Sequence, residues 1–124
     1  MCIRDSNNGG RFNPDGHLTD YFTNEAVKVI EKNKNQPFFL YLAYWAVHTP
    51  LQALKSDYDA LSYIEDHTER VQAAMVKSVD RGVGKIRKAL KENGIDDNTI
   101  IIFTCDNGAP HLSLIHISEP TRPY

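Results

Sequence analysis

Phe38-Phe39-Leu40-Tyr41-Leu42-Ala43-Tyr44-Trp45 and Thr99-Ile100-Ile101-Ile102-Phe103-Thr104 are the two stretches whose reading decides the fold. Each is short, apolar and without helical alternation, so each reads as a strand covered on both faces. The second is rich in β-branched residues, which suit a pleated surface. Between them, from about residue 66 to 93, Val71, Met75, Val79, Val83 (or Gly82), Ile86 and Leu90 recur every three or four positions. That spacing predicts a long helix with one core face, stopped by Gly94 just past its last turn. A strand, a crossover helix and a second strand make a βαβ unit. The expected class is therefore α/β with a largely parallel sheet and a right-handed connection.

Working outward, Asn33-Lys34-Asn35-Gln36-Pro37 breaks an earlier helical period. That period begins near Thr19 and places Phe22, Ala26, Val27, Val29 and Ile30 on one broad face. Asn7-Asn8-Gly9-Gly10 through Asn13-Pro14-Asp15-Gly16 is turn-rich. A single helical turn is expected near residues 56–61, and Asp96-Asp97-Asn98 makes the last turn before the second apolar run.

The two ends stand apart. Met1-Cys2-Ile3-Arg4-Asp5-Ser6 can be encoded by a stretch whose reverse complement encodes Leu112-Ser113-Leu114-Ile115-His116-Ile117. Both ends then read as one DNA element in opposite directions, similar to a translated transposon-type sequencing adapter, with Ser118-Glu119-Pro120-Thr121-Arg122 as its continuation. The expected organisation is scar at 1–6, natural segment at 7–111 and scar at 112–124. The natural part would be an internal fragment, with Cys105 as its only cysteine.

Composition narrows the classes. Of 124 residues, 14 are basic and 16 acidic, a net charge of -2 that gives no electrostatic reason to expect nucleic acid. No run of about 20 apolar residues exists to span a membrane. Two cysteines, Cys2 and Cys105, cannot make a disulfide scaffold.

In a parallel sheet both strands end at the same edge, where open α/β sheets gather their ligand sites. The residues just past those ends are His48-Thr49-Pro50 and Cys105-Asp106-Asn107-Gly108. An imidazole there can donate to an anionic substrate or act as general acid, or it can be a structural histidine tied to backbone. Asp106 and Asn107 offer hard oxygen donors suited to Ca²⁺ or Mg²⁺, while Asn-Gly is equally a plain turn. Cys105 has no base beside it, and Asp106 opposes thiolate formation, so burial as a small apolar group is the expectation. Gly82-Val83-Gly84-Lys85 lies inside a helical period and is rejected as a phosphate loop.

These residues match a known pattern. Gln36-Pro37-Phe38-Phe39-Leu40-Tyr41-Leu42-Ala43-Tyr44 with His48-Thr49-Pro50-Leu51-Gln52 resembles the middle of a formylglycine-dependent, arylsulfatase-like sulfatase. So do Ala74-Met75-Val76 with Asp80, Val83-Gly84-Lys85-Ile86, and the run from Thr99 to Gly108. The resemblance implies an alkaline-phosphatase-like α/β fold, hydrolysis of sulfate esters and bound Ca²⁺. It implies that Asp106 and Asn107 are two of four side-chain metal ligands, and that His48 is both catalytic and substrate-binding through the sulfate group. The implied partner is a sulfated small molecule or glycan, with no nucleic acid. Family habit would place the protein in the periplasm, in the lysosome or outside the cell.

The family's nucleophile is a formylglycine made from a Cys/Ser-x-Pro-x-Arg motif nearer the N-terminus. Residues 7–111 contain no such motif. The fragment alone is expected to be inactive and to fold poorly by itself. A phosphodiesterase or phosphonate hydrolase of the same superfamily, or a non-catalytic homologue, are the competing readings.

Overall fold

The computed structural model describes residues 5–7, 10–12, 14 and 16–106. Its framework is three helices: α1 at Leu18–Asn33, α2 at Lys55–Asp59 and α3 at His67–Glu92. A two-stranded antiparallel hairpin, β1 at Asp5–Asn7 with β2 at Gly10–Phe12, precedes them, and its first strand straddles the expected boundary after residue 6. A short 3-10 turn, Asp96–Asn98, follows α3.

The ends of α3 follow from local chemistry. Asp66 caps its N-terminus by accepting the Glu69 N–H at 2.8 Å, which satisfies one of the donors a first turn leaves free. At the other end Gly94 takes φ 67°, with its N–H on the Lys91 carbonyl and the Ile95 N–H on that of Leu90. This paired closure is the Schellman arrangement, and its left-handed residue favours glycine.

The core is the α1–α3 seam. Thr19, Thr23, Ala26 and Ile30 of α1 are buried there, with Gln72, Ala74, Met75, Ser78, Gly82, Ala89 and Leu90 of α3. The face differs from the expected one. Val71, Val79, Val83 and Ile86 are only half-buried, and the innermost row is Ala74, Ser78 and Gly82, at steps of four. Small residues occupy that row because bulky neighbours approach it. A Cβ on Gly82 would lie 2.6 Å from Thr23 Oγ1 and 2.7 Å from the Tyr44 hydroxyl. Likewise on α1, Val29 turns outward, and the buried row is Thr19, Thr23, Ala26 and Ile30.

The expected parallel sheet is not formed among the described residues. Residues 38–45 and 99–104 have no regular secondary structure, and among the described residues no ladder joins them and the only paired strands are β1 and β2. In residues 38–45 the even positions pack inward and the odd positions are open, with Phe39 92% exposed. Residues 100–103 are exposed throughout, including Ile102 at 84%. One face of the first segment is thus covered by helices, and the second lacks cover on either. A strand with two apolar faces and unpaired backbone groups needs neighbouring strands, and nothing among the described residues supplies them.

Candidate functional site

His48 sits on a tight turn at the end of residues 38–45. Its backbone N–H donates to the Trp45 carbonyl at 2.9 Å, and its ring meets the Trp45 indole edge-on at 6.1 Å between centroids. Imidazole Nδ1 lies 2.6 Å from the Thr49 carbonyl. A carbonyl oxygen only accepts, so Nδ1 carries the proton and donates. Nε2 is then the free nitrogen of an exposed ring. As a neutral imidazole it can accept; to donate to an anion it must be protonated. The peptide bonds Ala46-Val47 and Thr49-Pro50 on either side are cis.

Asp106 is exposed at the end of the second apolar segment, whereas Asn107 lies outside the described residues. Among the described residues no hydrogen bond or ion pair joins His48 to Asp106, and no group of three or more His, Cys, Asp or Glu side chains gathers in a metal-holding cluster. The oxygen donors of Asp106 and Asn107 suit Ca²⁺ by type. Since Ca²⁺ takes six to eight oxygens, they can be only a share of its shell. Cys105 is free and exposed, which corrects its expected burial; the segment that carries it has no covering layer here.

Polar contacts with all three helices hold the chain on either side of His48. Tyr44 and Thr23 hydroxyls are 2.8 Å apart, and the single Thr23 hydrogen goes to the Thr19 carbonyl at 2.8 Å. Tyr44 is therefore the donor to Thr23 Oγ1. Burial pushes the Tyr44 phenol up from its ordinary value and Asp20 adds to this, against the opposing Thr23 hydrogen bond. Farther along, Asp57 is buried at 5% exposure and accepts from Arg81 Nη1 at 2.7 and 2.8 Å and from Ser78 Oγ at 2.9 Å. Burial disfavours its charge, but the Arg81 and Ser78 hydrogen bonds outweigh this and hold the carboxyl below the usual carboxylate range. Arg81 also approaches Asp20 at 3.6 Å, beside Lys85 at 3.7 Å and His17 at 3.5 Å.

Asp57, Arg81 and Ser78 were not singled out in the sequence. The acid lies between exposed Ser56 and half-buried Tyr58 in a short helix, and only the fold brings it 21 residues along to Ser78. A shallow groove of about 370 Å³ beside the exit of the His48 turn is lined by Leu51, Gln52, Tyr58, His67 and Val71, among others.

Residues 3–121 match the sulfatase family. The chain belongs to that family. This sulfatase-family chain is 45% identical over 97 residues to the uncharacterized sulfatase YdeN of Escherichia coli strain K12, covering 76% of its own length and 17% of the relative's. It is 34% identical over 112 residues to mouse N-acetylgalactosamine-6-sulfatase, covering 89% of itself and 20% of that protein. Among solved structures it is similar to Ps i-CgsB in complex with k-i-k-neocarrahexaose, at TM-score 0.67 and 45% identity over 69% of this chain and 20% of that one. The sulfatase-family chain thus spans about a fifth or less of the length of these relatives.

Ser118-Glu119-Pro120-Thr121-Arg122 satisfies Ser-x-Pro-x-Arg. It follows Asp106-Asn107-Gly108 instead of preceding His48, falls in the expected adapter read, and lies outside the described residues.

Proposed function

We propose that this chain is the central part of a sulfatase catalytic domain of alkaline-phosphatase-like α/β fold, hydrolysing sulfate esters. The observation that carries the reading is the order His48-Thr49-Pro50 then Asp106-Asn107-Gly108 within a family match over nearly the whole chain. In this reading the bare odd face of residues 38–45 and the open segment 100–103 are strands of a parallel sheet whose neighbours come from the remainder of the domain. The nucleophile, a formylglycine, and the other metal ligands also lie outside residues 7–111.

His48 contacts the sulfate. Its Nδ1–H is held by the Thr49 carbonyl, which fixes the ring and leaves Nε2 to donate to a sulfate or leaving oxygen as the imidazolium. Asp106 and Asn107 hold a Ca²⁺ ion, which when bound offsets the negative charge on the sulfate oxygens. A sulfated glycan is the preferred substrate class. The N-acetylgalactosamine-6-sulfatases among the relatives and the k-i-k-neocarrahexaose bound in the similar solved structure support it.

The test compares the full-length protein with residues 1–124 alone. The full-length protein is expected to release sulfate from an aryl sulfate and from sulfated oligosaccharides, and to lose this by at least about a hundredfold in His48→Ala. The isolated chain is expected to show none. Turnover by the isolated chain that His48→Ala abolishes would overturn the fragment reading, and a fully active full-length His48→Ala would overturn the role of His48.

A further inference from the structure

The excursion that carries His48 leaves and rejoins the helices at two anchored points: Thr23 of α1, where it faces Gly82 of α3, and Ser78 with Arg81 one turn away on α3. On the way in, Tyr44 donates to Thr23 Oγ1 over the gap that Gly82 leaves open. On the way out, Asp57 is gripped by Arg81 and Ser78. Ser78, Arg81 and Gly82 fall within five consecutive residues, little more than one helical turn. Arg70 reinforces the second foot, with its Nε donating to the Tyr58 carbonyl at 2.8 Å and its guanidinium 3.9 Å from the Tyr58 ring centroid.

Between the feet run residues 45–56. Their own backbone bonds include the His48 N–H to Trp45 carbonyl turn, which ties His48 to the residue next to Tyr44. A connection of about a dozen residues with free ends samples many paths, and fixing both ends removes most of them. The His48 ring is exposed and meets Trp45 and Thr49 of the same excursion, which orient it locally, so the two feet set where the excursion and its ring stand relative to the helices.

We propose that Tyr44 and Asp57, acting through Thr23 and through Arg81 with Ser78, are positioning residues for His48. This rests on the reading of His48 as the sulfate-contacting group. Neither residue touches substrate. Both set the placement of a group that does, and displacing a reacting group by about an ångström can cost up to a hundredfold in rate. Binding of the rest of the substrate is unaffected by that displacement, so the loss falls on kcat.

The experiment uses the full-length protein and an activated aryl sulfate. Tyr44→Phe, which keeps the ring and removes only the hydroxyl, is expected to lower kcat about tenfold with KM within about twofold. Asp57→Asn is expected to do the same. The deciding readout is a double-mutant cycle, because a residue that works through His48 has nothing to act on once the imidazole is gone. In a His48→Asn background each substitution should leave the residual rate unchanged. An equal fold-loss in both backgrounds, or no loss in the wild-type background, overturns the positioning role. Full activity of His48→Asn overturns the underlying reading of His48 instead. Where the residual rate is too small to measure, the His48 ring resonances of isotope-labelled protein decide. They should shift or broaden in Tyr44→Phe, and an unchanged spectrum overturns the inference.

Discussion

Asp57 is held through both carboxylate oxygens by a single nitrogen of Arg81, at 2.7 and 2.8 Å, although the two residues are 24 positions apart. The acid is buried and the guanidinium about one-third exposed, so removing Arg81 strands a charge in a dry place. Breaking a fully buried pair costs about 3–5 kcal/mol, and the partial exposure here lowers the expectation for Arg81→Ala to about 2–4 kcal/mol. Chemical denaturation followed by circular dichroism measures it. A loss under about 0.5 kcal/mol would mean the pair is ornamental.

The same pair makes stability pH-dependent. The Asp57 carboxyl is held below its ordinary value of 3.8, so its folded form binds a proton less readily than its unfolded form. Its contribution is complete above the ordinary value and is lost as pH falls through the lower, folded one. The melting temperature of the wild type is therefore expected to exceed that of Asp57→Asn at neutral pH, with the gap closing as the pH drops below about 4. A gap that widens in acid would reverse the sign.

Three glycines are expected to respond differently to alanine. Gly84 lies in α3 with open space around a would-be Cβ, so Gly84→Ala should stabilise by about 0.5–1 kcal/mol. Gly94, at φ 67°, has the same open space but the wrong backbone for an L side chain, and should lose about 1 kcal/mol. Gly82→Ala must push on the Thr23 and Tyr44 hydroxyls and should lose about 1–3 kcal/mol. Melting curves of the three variants would give these signs directly.

Isolated residues 1–124 are expected to aggregate. Phe39, Tyr41, Ile100, Ile102 and Phe103 are open together on segments with unpaired backbone groups. Phe39→Lys with Ile102→Lys should raise the soluble fraction several-fold and leave the helical signal intact. Equal solubility of parent and variant would show that these side chains are not the sticking surface.

The helices were legible in the sequence because their signals are local. The three-to-four spacing from Val71 to Leu90 and Gly94 behind it are read from neighbours along the chain, and α3 closes where they indicate. Its inner row was not legible. Valines looked like the core, yet Ala74, Ser78 and Gly82 lie deepest, because Tyr44 and Asp57 arrive from elsewhere and need the space. The apolar runs were read as strands covered on both faces, but among the described residues neither is a strand, because their pairing depends on neighbours that no local signal supplies. His48 and Asp106 were picked out by residue type and place, while the groups that hold the His48 segment are ordinary in sequence and become visible only in three dimensions.

The alternation along residues 38–45 has a consequence for how that segment settles. A slip by a single residue would turn Phe39 and Tyr41 toward the helices, cast Leu40 and Leu42 outward, and swing the Tyr44 phenol away from Thr23. The two faces are nearly equal in greasiness, so oil-like attraction alone would scarcely tell the correct alignment from the shifted one. The lone hydroxyl contact over Gly82 discriminates between them, acting as the notch that keys this ribbon into its proper setting.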